Sequence, residues 1–138
     1  MHKGSSKIET VIIGQTLTIE RTVTKELLAS SLKSGSLDVF ATPAMIAFME
    51  ETSLVLAERF LEDGKSTVGT AVNISHLAPT PPGMKVTATA TITAFDGRKF
   101  CFDVTCADER EIVGKGTHER FIIDCEKFIK KVNDKAQG

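Results

Sequence analysis

Residues 42–62 read TPAMIAFMEETSLVLAERFLE, a long helix by every local signal it carries. Thr42-Pro43 opens it in the expected way, because threonine can cap free N–H groups and proline at the first helical position gives up no hydrogen bond it could have made. The helix is predicted to run to about Glu62, just before the turn signal Asp63-Gly64. At about 100° per residue, Glu51, Thr52, Glu58, Arg59 and Glu62 draw a solvent arc. Ile46, Met49, Ser53, Ala57 and Phe60 fall near the opposite pole, and Glu50 lies on the apolar side beside Leu54 and Leu61. A helix with so broad an apolar face needs a second layer to cover it.

The flanking sequence supplies that layer. Upstream, residues 15–24 (QTLTIERTVT) put Leu17, Ile19, Arg21 and Val23 on one parity against threonines and Glu20 on the other, the pattern of a strand. Residues 25–38 (KELLASSLKSGSLD) are leucine-dotted and Ser-rich, suited to a loop or short helix that can serve as a lid. Downstream, strands are predicted at 67–77, 84–95, 99–107 and 111–124, joined by PTPPG, Asp96-Gly97 and the charged turn ADERE. The last three form an antiparallel meander. Residues 125–132 suggest a short C-terminal helix with Phe128, Ile129 and Val132, and a tail fraying from Asn133. One strand, one long helix and a run of strands make an α+β layout in which a sheet wraps a central helix. No repeat, linker or second domain interrupts it, so one domain over 1–138 is expected, with its core at about 15–132.

Bulk properties narrow the function classes. A chain of 138 residues can bury roughly 68% of its unfolded surface, enough for a real core. With 17 basic and 18 acidic residues, the formal charge is −1, and no basic stripe favours nucleic acid or an anionic membrane. Cys101, Cys106 and Cys125 are an odd set without CxxC spacing, which reads as reduced thiols in a cytoplasmic protein rather than as disulfides or a zinc site. No metal is expected. Residues 1–6 hold no apolar h-region, and no apolar run approaches the ~20 residues of a membrane span.

A few residues stand out chemically, each beside a bland alternative. Glu50 places a carboxylate on an otherwise apolar helix face, where it would lose hydration unless partnered; a carboxylate on the stripe's rim, reaching water, fits the angles equally well. His76 ends a strand in SHLAPTPPG on the parity of Val68, Val72 and Ile74, so it is either a base aimed at the interior or a hydrogen-bonded strand-end histidine. Thr42 is explained as a cap, yet a helix N-terminus also suits a developing anion or a reactive oxygen. Gly69 interrupts a strand, the mark of a bulge or of close approach by a ligand. GKGTHERF puts His118 and Arg120 on one strand face, where Arg120 offers a fork of donors for a carboxylate or simply a surface ion pair.

The phrases VFATPAMIAFMEE, VGTAVNISHLAPTPPG, GKGTHERFII and EKF, in this order over residues 40–128, resemble the fluoroacetyl-CoA thioesterase-like branch of the hot-dog superfamily. The resemblance implies a hot-dog fold, a five-stranded antiparallel sheet around the long helix, and a homodimer with active sites at the subunit interface. It implies hydrolysis of an acyl-CoA to free acid and CoA, with CoA entering only as part of the substrate and no other cofactor. Thr42 and Glu50 match the family's positions for nucleophilic attack or water activation, and His76 its general base and acid. Gly69 and Arg120 match positions that bind or support the substrate. The specialised fluoroacetyl-CoA enzymes carry phenylalanines in the lid, whereas residues 25–38 here hold no aromatic side chain. That departure implies a pocket open to acetyl, short branched or other small acyl groups. Two other functions fit a hot-dog pocket: non-catalytic binding of acyl-CoA or a small ligand, and hydration or dehydration of an unsaturated acyl chain.

Overall fold

Alternation is strict in the central strands. Val86, Ala88, Ala90 and Ile92 of one, and Phe100, Phe102, Val104 and Cys106 of the next, are buried while their neighbours face outward. The computed structural model describes residues 9–138; residues 1–8, and with them the N-terminal six discussed above, lie outside it. The order is β1 (Thr16–Thr22), a 3-10 turn (Lys25–Leu27), α1 (Ala29–Leu32), α2 (Thr42–Glu58), β2 (Lys65–His76), β3 (Lys85–Phe95), β4 (Lys99–Ala107), β5 (Ile112–Asp124) and α3 (Cys125–Gln137). The strands form one sheet in the order β1-β3-β4-β5-β2, with every adjacent pair antiparallel. β3, β4 and β5 are the meander that their turn signals predict, and β2 is left as an edge.

Helix α2 lies across the inner face of this sheet, the hot-dog arrangement. Met45, Met49, Leu56 and Ala57 are buried against Val104, Val113 and a row of phenylalanines in which the Phe95 and Phe100 rings stack at 4.3 Å. Gly114 permits the close seat of the helix's first turns, since a Cβ there would fall 2.5 Å from the Met45 Sδ. Gly114 is also the β5 partner of His76. The N-terminal end of α2 is therefore set down beside the end of β2.

Four sequence expectations need correction. The helix stops at Glu58 rather than about Glu62, because Phe60 N–H and Leu61 N–H bond three residues back, to Ala57 and Glu58, and tighten the chain into a turn. Thr52 is fully buried instead of solvent-facing: α2 packs against all five strands, and the hydroxyl donates to the Phe48 carbonyl at 2.9 Å. The C-terminal helix continues to Gln137 rather than fraying from Asn133, with Asp124 capping its start and Lys130 paired to Asp134 at 3.1 Å.

The fourth concerns parity along β2. A bulge between Gly69 and Ala71 inserts one residue, so the inward positions are Thr67 and Gly69 before it and Val72, Ile74 and His76 after it. Val68 thus faces away from His76, although their numbers share a parity.

The segment 25–38 is a 3-10 turn and a single helical turn folded over the start of α2. It is clamped there by the Leu28–Phe40 bridge and by Ala29 N–H donating to the Val39 carbonyl at 2.8 Å. No described helix is long and apolar enough to cross a membrane. All three cysteines are free, and burial, with Asp108 nearby, pushes the Cys106 thiol up to about 12, which keeps it unreactive.

Candidate active site

Thr42 is not a cap. The helix takes Ala41 as its N-cap residue, without a side-chain hydrogen bond, and Thr42 begins the helix itself. Its hydroxyl is free for another partner and takes one: Thr42 Oγ1 lies 2.7 Å from His76 Nδ1. Behind the pair, His76 Nε2 is buried with no hydrogen-bond partner among the described residues. Burial lowers the His76 pKa from its ordinary value, and the backbone of Ala78 acts the other way. A neutral imidazole against a hydroxyl at the positive end of a helix is the arrangement of a base that activates an oxygen nucleophile.

The pair opens on a cavity of about 320 Å³ lined by Ala29, Ser34, Val39, Phe40, Leu77 and Pro79 as well. Its wall on the lid side comes from α1 and the loop after it. On the far side of Phe40 lies a second, largely apolar cavity of about 450 Å³, bounded by Leu27, Leu32, Ala44, Ala47, Phe48 and Val86. Phe40 lines both cavities and is only 2% exposed, so it stands between them.

Glu50, Gly69 and Arg120 form a second group. Glu50 sits on the rim of the helix stripe, with its side chain 40% exposed, and its Oε2 lies 3.9 Å from Arg120 Nη1. Arg120 is not a surface residue: it is 6% exposed, and it donates from Nε to Thr67 Oγ1 at 2.8 Å and from Nη2 to the Thr67 carbonyl at 2.9 Å. Its Nη1 also donates to His118 Nε2 at 3.1 Å. Burial lowers the Arg120 pKa, while Glu50 and Glu58 favour its charge. Gly69 stands in front of this group; a Cβ there would come 3.0 Å from Glu50 Oε2, 3.1 Å from His118 Cε1 and 3.4 Å from Arg120 Nη1. Of the two meanings of a strand glycine the bulge is observed, and the atoms that approach its backbone are the chain's own Glu50, His118 and Arg120 side chains.

Within one chain the two groups are apart. Thr42 and Glu50 are eight residues along α2, about 12 Å at 1.5 Å per residue. Gly69 and His76 are seven residues along β2, roughly 20 Å of strand. The five residues carried over from the family resemblance thus fall into a Thr42–His76 pair and a Glu50–Gly69–Arg120 cluster. Thr67 was missed as a member of the second cluster, and His118, noted beside Arg120 on one strand face, was given no role in it. The one clue to His118 was its i, i+2 spacing to Arg120 in GTHER, and nothing in the sequence marked Thr67. Among the described residues no cluster of His, Cys, Asp and Glu could hold a metal ion.

Comparison with known proteins identifies the family. A family model described as fluoroacetyl-CoA-specific thioesterase matches residues 23–126. The fluoroacetyl-CoA thioesterase of Streptantibioticus cattleyicolor is 41% identical over 99 residues, covering 72% of this chain and 71% of that protein. A solved structure of a fluoroacetyl-CoA thioesterase superposes with a TM-score of 0.88 at 33% identity, covering 92% of this chain and 98% of the other. A thioesterase superfamily member from Thermus thermophilus superposes with a TM-score of 0.84 at 25% identity, covering 94% and 98%. With the fold, the hydroxyl–imidazole pair and these likenesses together, the chain belongs to the fluoroacetyl-CoA-specific thioesterase family of hot-dog acyl-CoA thioester hydrolases.

Proposed function

We propose that this protein hydrolyses a short-chain acyl-CoA at a site built from two copies of the chain, Thr42 and His76 coming from one and Glu50, Gly69 and Arg120 from the other. The observation that carries the reading is the Thr42–His76 contact at 2.7 Å, with His76 Nε2 left buried and unpartnered among the described residues.

The edge strand supports the two-copy site. Among the described residues β2 has β5 on one side and no strand on the other, and Ala71, Val72 and Asn73 near its middle are exposed. Ile46 and Leu54 of α2 are only half-buried and Val55 is 42% exposed, an apolar margin beside that edge. A bare edge of this kind is usually covered. If two β2 strands pair antiparallel about a two-fold axis between Val72 and Asn73, residue numbers across the junction sum to 145, and Gly69 of one copy stands opposite His76 of the other. That pairing brings a carboxylate, Glu50 of one copy, alongside the Thr42–His76 pair of the other, as the third member of a nucleophile–base–acid set.

In this site Thr42 Oγ attacks the thioester carbonyl carbon and gives its proton to His76 Nδ1. The tetrahedral oxyanion is stabilised by the free N–H groups at the start of α2. Collapse expels the CoA thiolate, which takes the proton from His76. Water then gives a proton to the same nitrogen as it attacks the acyl-threonine ester, and the free acid leaves as Thr42 recovers its hydrogen. The acyl group is short because Phe40 closes the reactive cavity; a lid without aromatic side chains leaves room for acetyl, propionyl or small branched groups. The free cysteines suit a reducing compartment, the cytoplasm.

Thiol release from acetyl-, propionyl-, isobutyryl-, acetoacetyl- and fluoroacetyl-CoA, measured with the native chain and with Glu50→Ala, tests the activity. Mixing tests the two-copy site. Thr42→Ala and Glu50→Ala chains, each inactive alone, are refolded together; random pairing makes half the dimers mixed with one intact site in two, so about a quarter of native activity returns. Turnover without any recovery on mixing places all the groups in one chain instead.

A further inference from the structure

His118 is 2% exposed, and the reaction above makes no use of it. Its ring nitrogens are both engaged, and the partners fix its protonation. Nδ1 lies 2.8 Å from the Ala71 carbonyl oxygen, which can only accept, so Nδ1 carries the hydrogen. Nε2 lies 3.1 Å from Arg120 Nη1, which can only donate, so Nε2 is the bare acceptor. The imidazole is therefore neutral and held in one tautomer. Of the charged groups that face it, Arg120 favours the neutral ring and Glu50 and Glu119 oppose it; burial is the largest influence, and the net pKa is lowered.

Arg120 needs this acceptor. Thr67 holds the Nε and Nη2 edge of the guanidinium, and among the described residues the only other hydrogen bond fixing the plane is the one to His118. Nη1 is also the atom that faces Glu50 Oε2, at 3.9 Å. Without a lone pair at His118 Nε2, a buried N–H of Nη1 is left unsatisfied, and the guanidinium turns to find another partner. His118 Cε1 and Arg120 Nη1 further form the wall that a Cβ on Gly69 would meet.

We propose that His118 is a positioning residue for the hydrolysis: as an acceptor it holds Arg120 behind Gly69 with Nη1 turned toward Glu50. The proposal rests on the reading that places Glu50 and Arg120 in the hydrolytic site. The alternative is a histidine that only satisfies the Ala71 carbonyl at the bulge.

Two substitutions separate these roles. In His118→Asn the amide nitrogen reaches where Nδ1 was and still donates to Ala71, but nothing reaches Arg120. In His118→Gln the longer side chain puts Oε1 where Nε2 was and restores the acceptor. Acyl-CoA turnover and the 15N-coupled signals of the Arg120 guanidinium are measured for the native full-length chain and both variants, beside thermal melts. The expected result is a kcat about tenfold lower in His118→Asn, with KM within about twofold, and rescue to within about threefold in His118→Gln. The slowly exchanging Arg120 Nη1 hydrogens should be seen in the native chain and in His118→Gln and be lost in His118→Asn. Equal behaviour of the two variants, in rate or in the Arg120 signal, overturns the proposal. Should His118→Asn not fold, the native chain decides: 15N shifts at pH 7.5 showing a proton on His118 Nε2 overturn it, and a bare Nε2 coupled to Arg120 upholds it. If the native chain releases no thiol from any acyl-CoA, the thioesterase reading fails, while the Arg120 signals still report whether His118 holds the guanidinium.

Discussion

The two ends of β2 are built on opposite principles. At the His76 end one hydrogen bond joins a hydroxyl to an imidazole, and the second ring nitrogen is left without a partner among the described residues. At the Gly69 end Arg120 is held by two bonds to Thr67 and one to His118, and it faces Glu50. In the proposed reaction the first end passes a proton. The second is braced and holds a fixed charge. An enzyme that must both move protons and keep a cation oriented gains from separating these tasks, because the hydrogen bonds that immobilise an arginine would also immobilise a base.

This contrast breaks most visibly at the open end. Thr42→Ala and His76→Ala should each lower kcat by about 10²–10⁴, the usual contribution of a positioned acid–base group. Thr42 is exposed and caps nothing, so Thr42→Ala should leave the melting temperature almost unchanged. Ordinary turnover in either variant, measured by thiol release, would remove the proton-passing role from this end.

The partition beside it comes next. Phe40→Ala should cost about 3–5 kcal/mol by chemical denaturation, as for other buried phenylalanines. It should also join the two cavities and shift relative kcat/KM from acetyl- toward hexanoyl-CoA. An unchanged chain-length profile in the folded variant would mean that something other than Phe40 limits the acyl group.

At the braced end the expected effect is smaller. Gly69→Ala brings a methyl group to 3.0 Å from Glu50 Oε2 and 3.1 Å from His118 Cε1, tighter than normal packing. The carboxylate is the more mobile neighbour and gives way, so kcat should fall about tenfold with little loss of stability. A variant with native kcat would show that Glu50 need not stay where it lies.

Last, acid acts on both ends in the same direction. His118 and His76 have pKa values lowered by burial, so the unfolded chain binds more protons than the folded one as pH falls below about 6.5, the unfolded imidazole value. Their contribution to stability is complete above that pH and is lost as pH drops through the lowered folded values. Melting temperature should decline over this window, while kcat/KM keeps its plateau to below pH 6.5 because His76 stays neutral there. An acid limb centred above pH 6.5 would contradict the environment described for His76.

Much of this was legible in the sequence, for a physical reason. Period-two and 3.6-residue patterns record which side of an element loses water, and that is a local matter. The strands of the meander, the central helix and the α+β layout followed from them, and the four separated phrases led to the family. What stayed hidden depended on contacts between distant segments. Thr42 offered two readings, a cap or a reactive oxygen; the arrival of His76, 34 residues away, gives its hydroxyl a partner. Arg120 offered either a fork for a carboxylate or a surface ion pair, because nothing local reveals that Thr67 and His118 enclose it. One inserted residue near Gly69 reversed the inward parity of β2, which periodicity cannot register.

Sequence by itself determined the elements and the chemical types available: a hydroxyl, a carboxylate, an imidazole and a guanidinium on the elements that carry them. Tertiary structure alone decided their grouping, Thr42 with His76 and Glu50 with Arg120. Side-chain partners depend on the register of paired strands and the seat of a helix on its sheet, and these are set by packing over the whole domain rather than by neighbours in the chain.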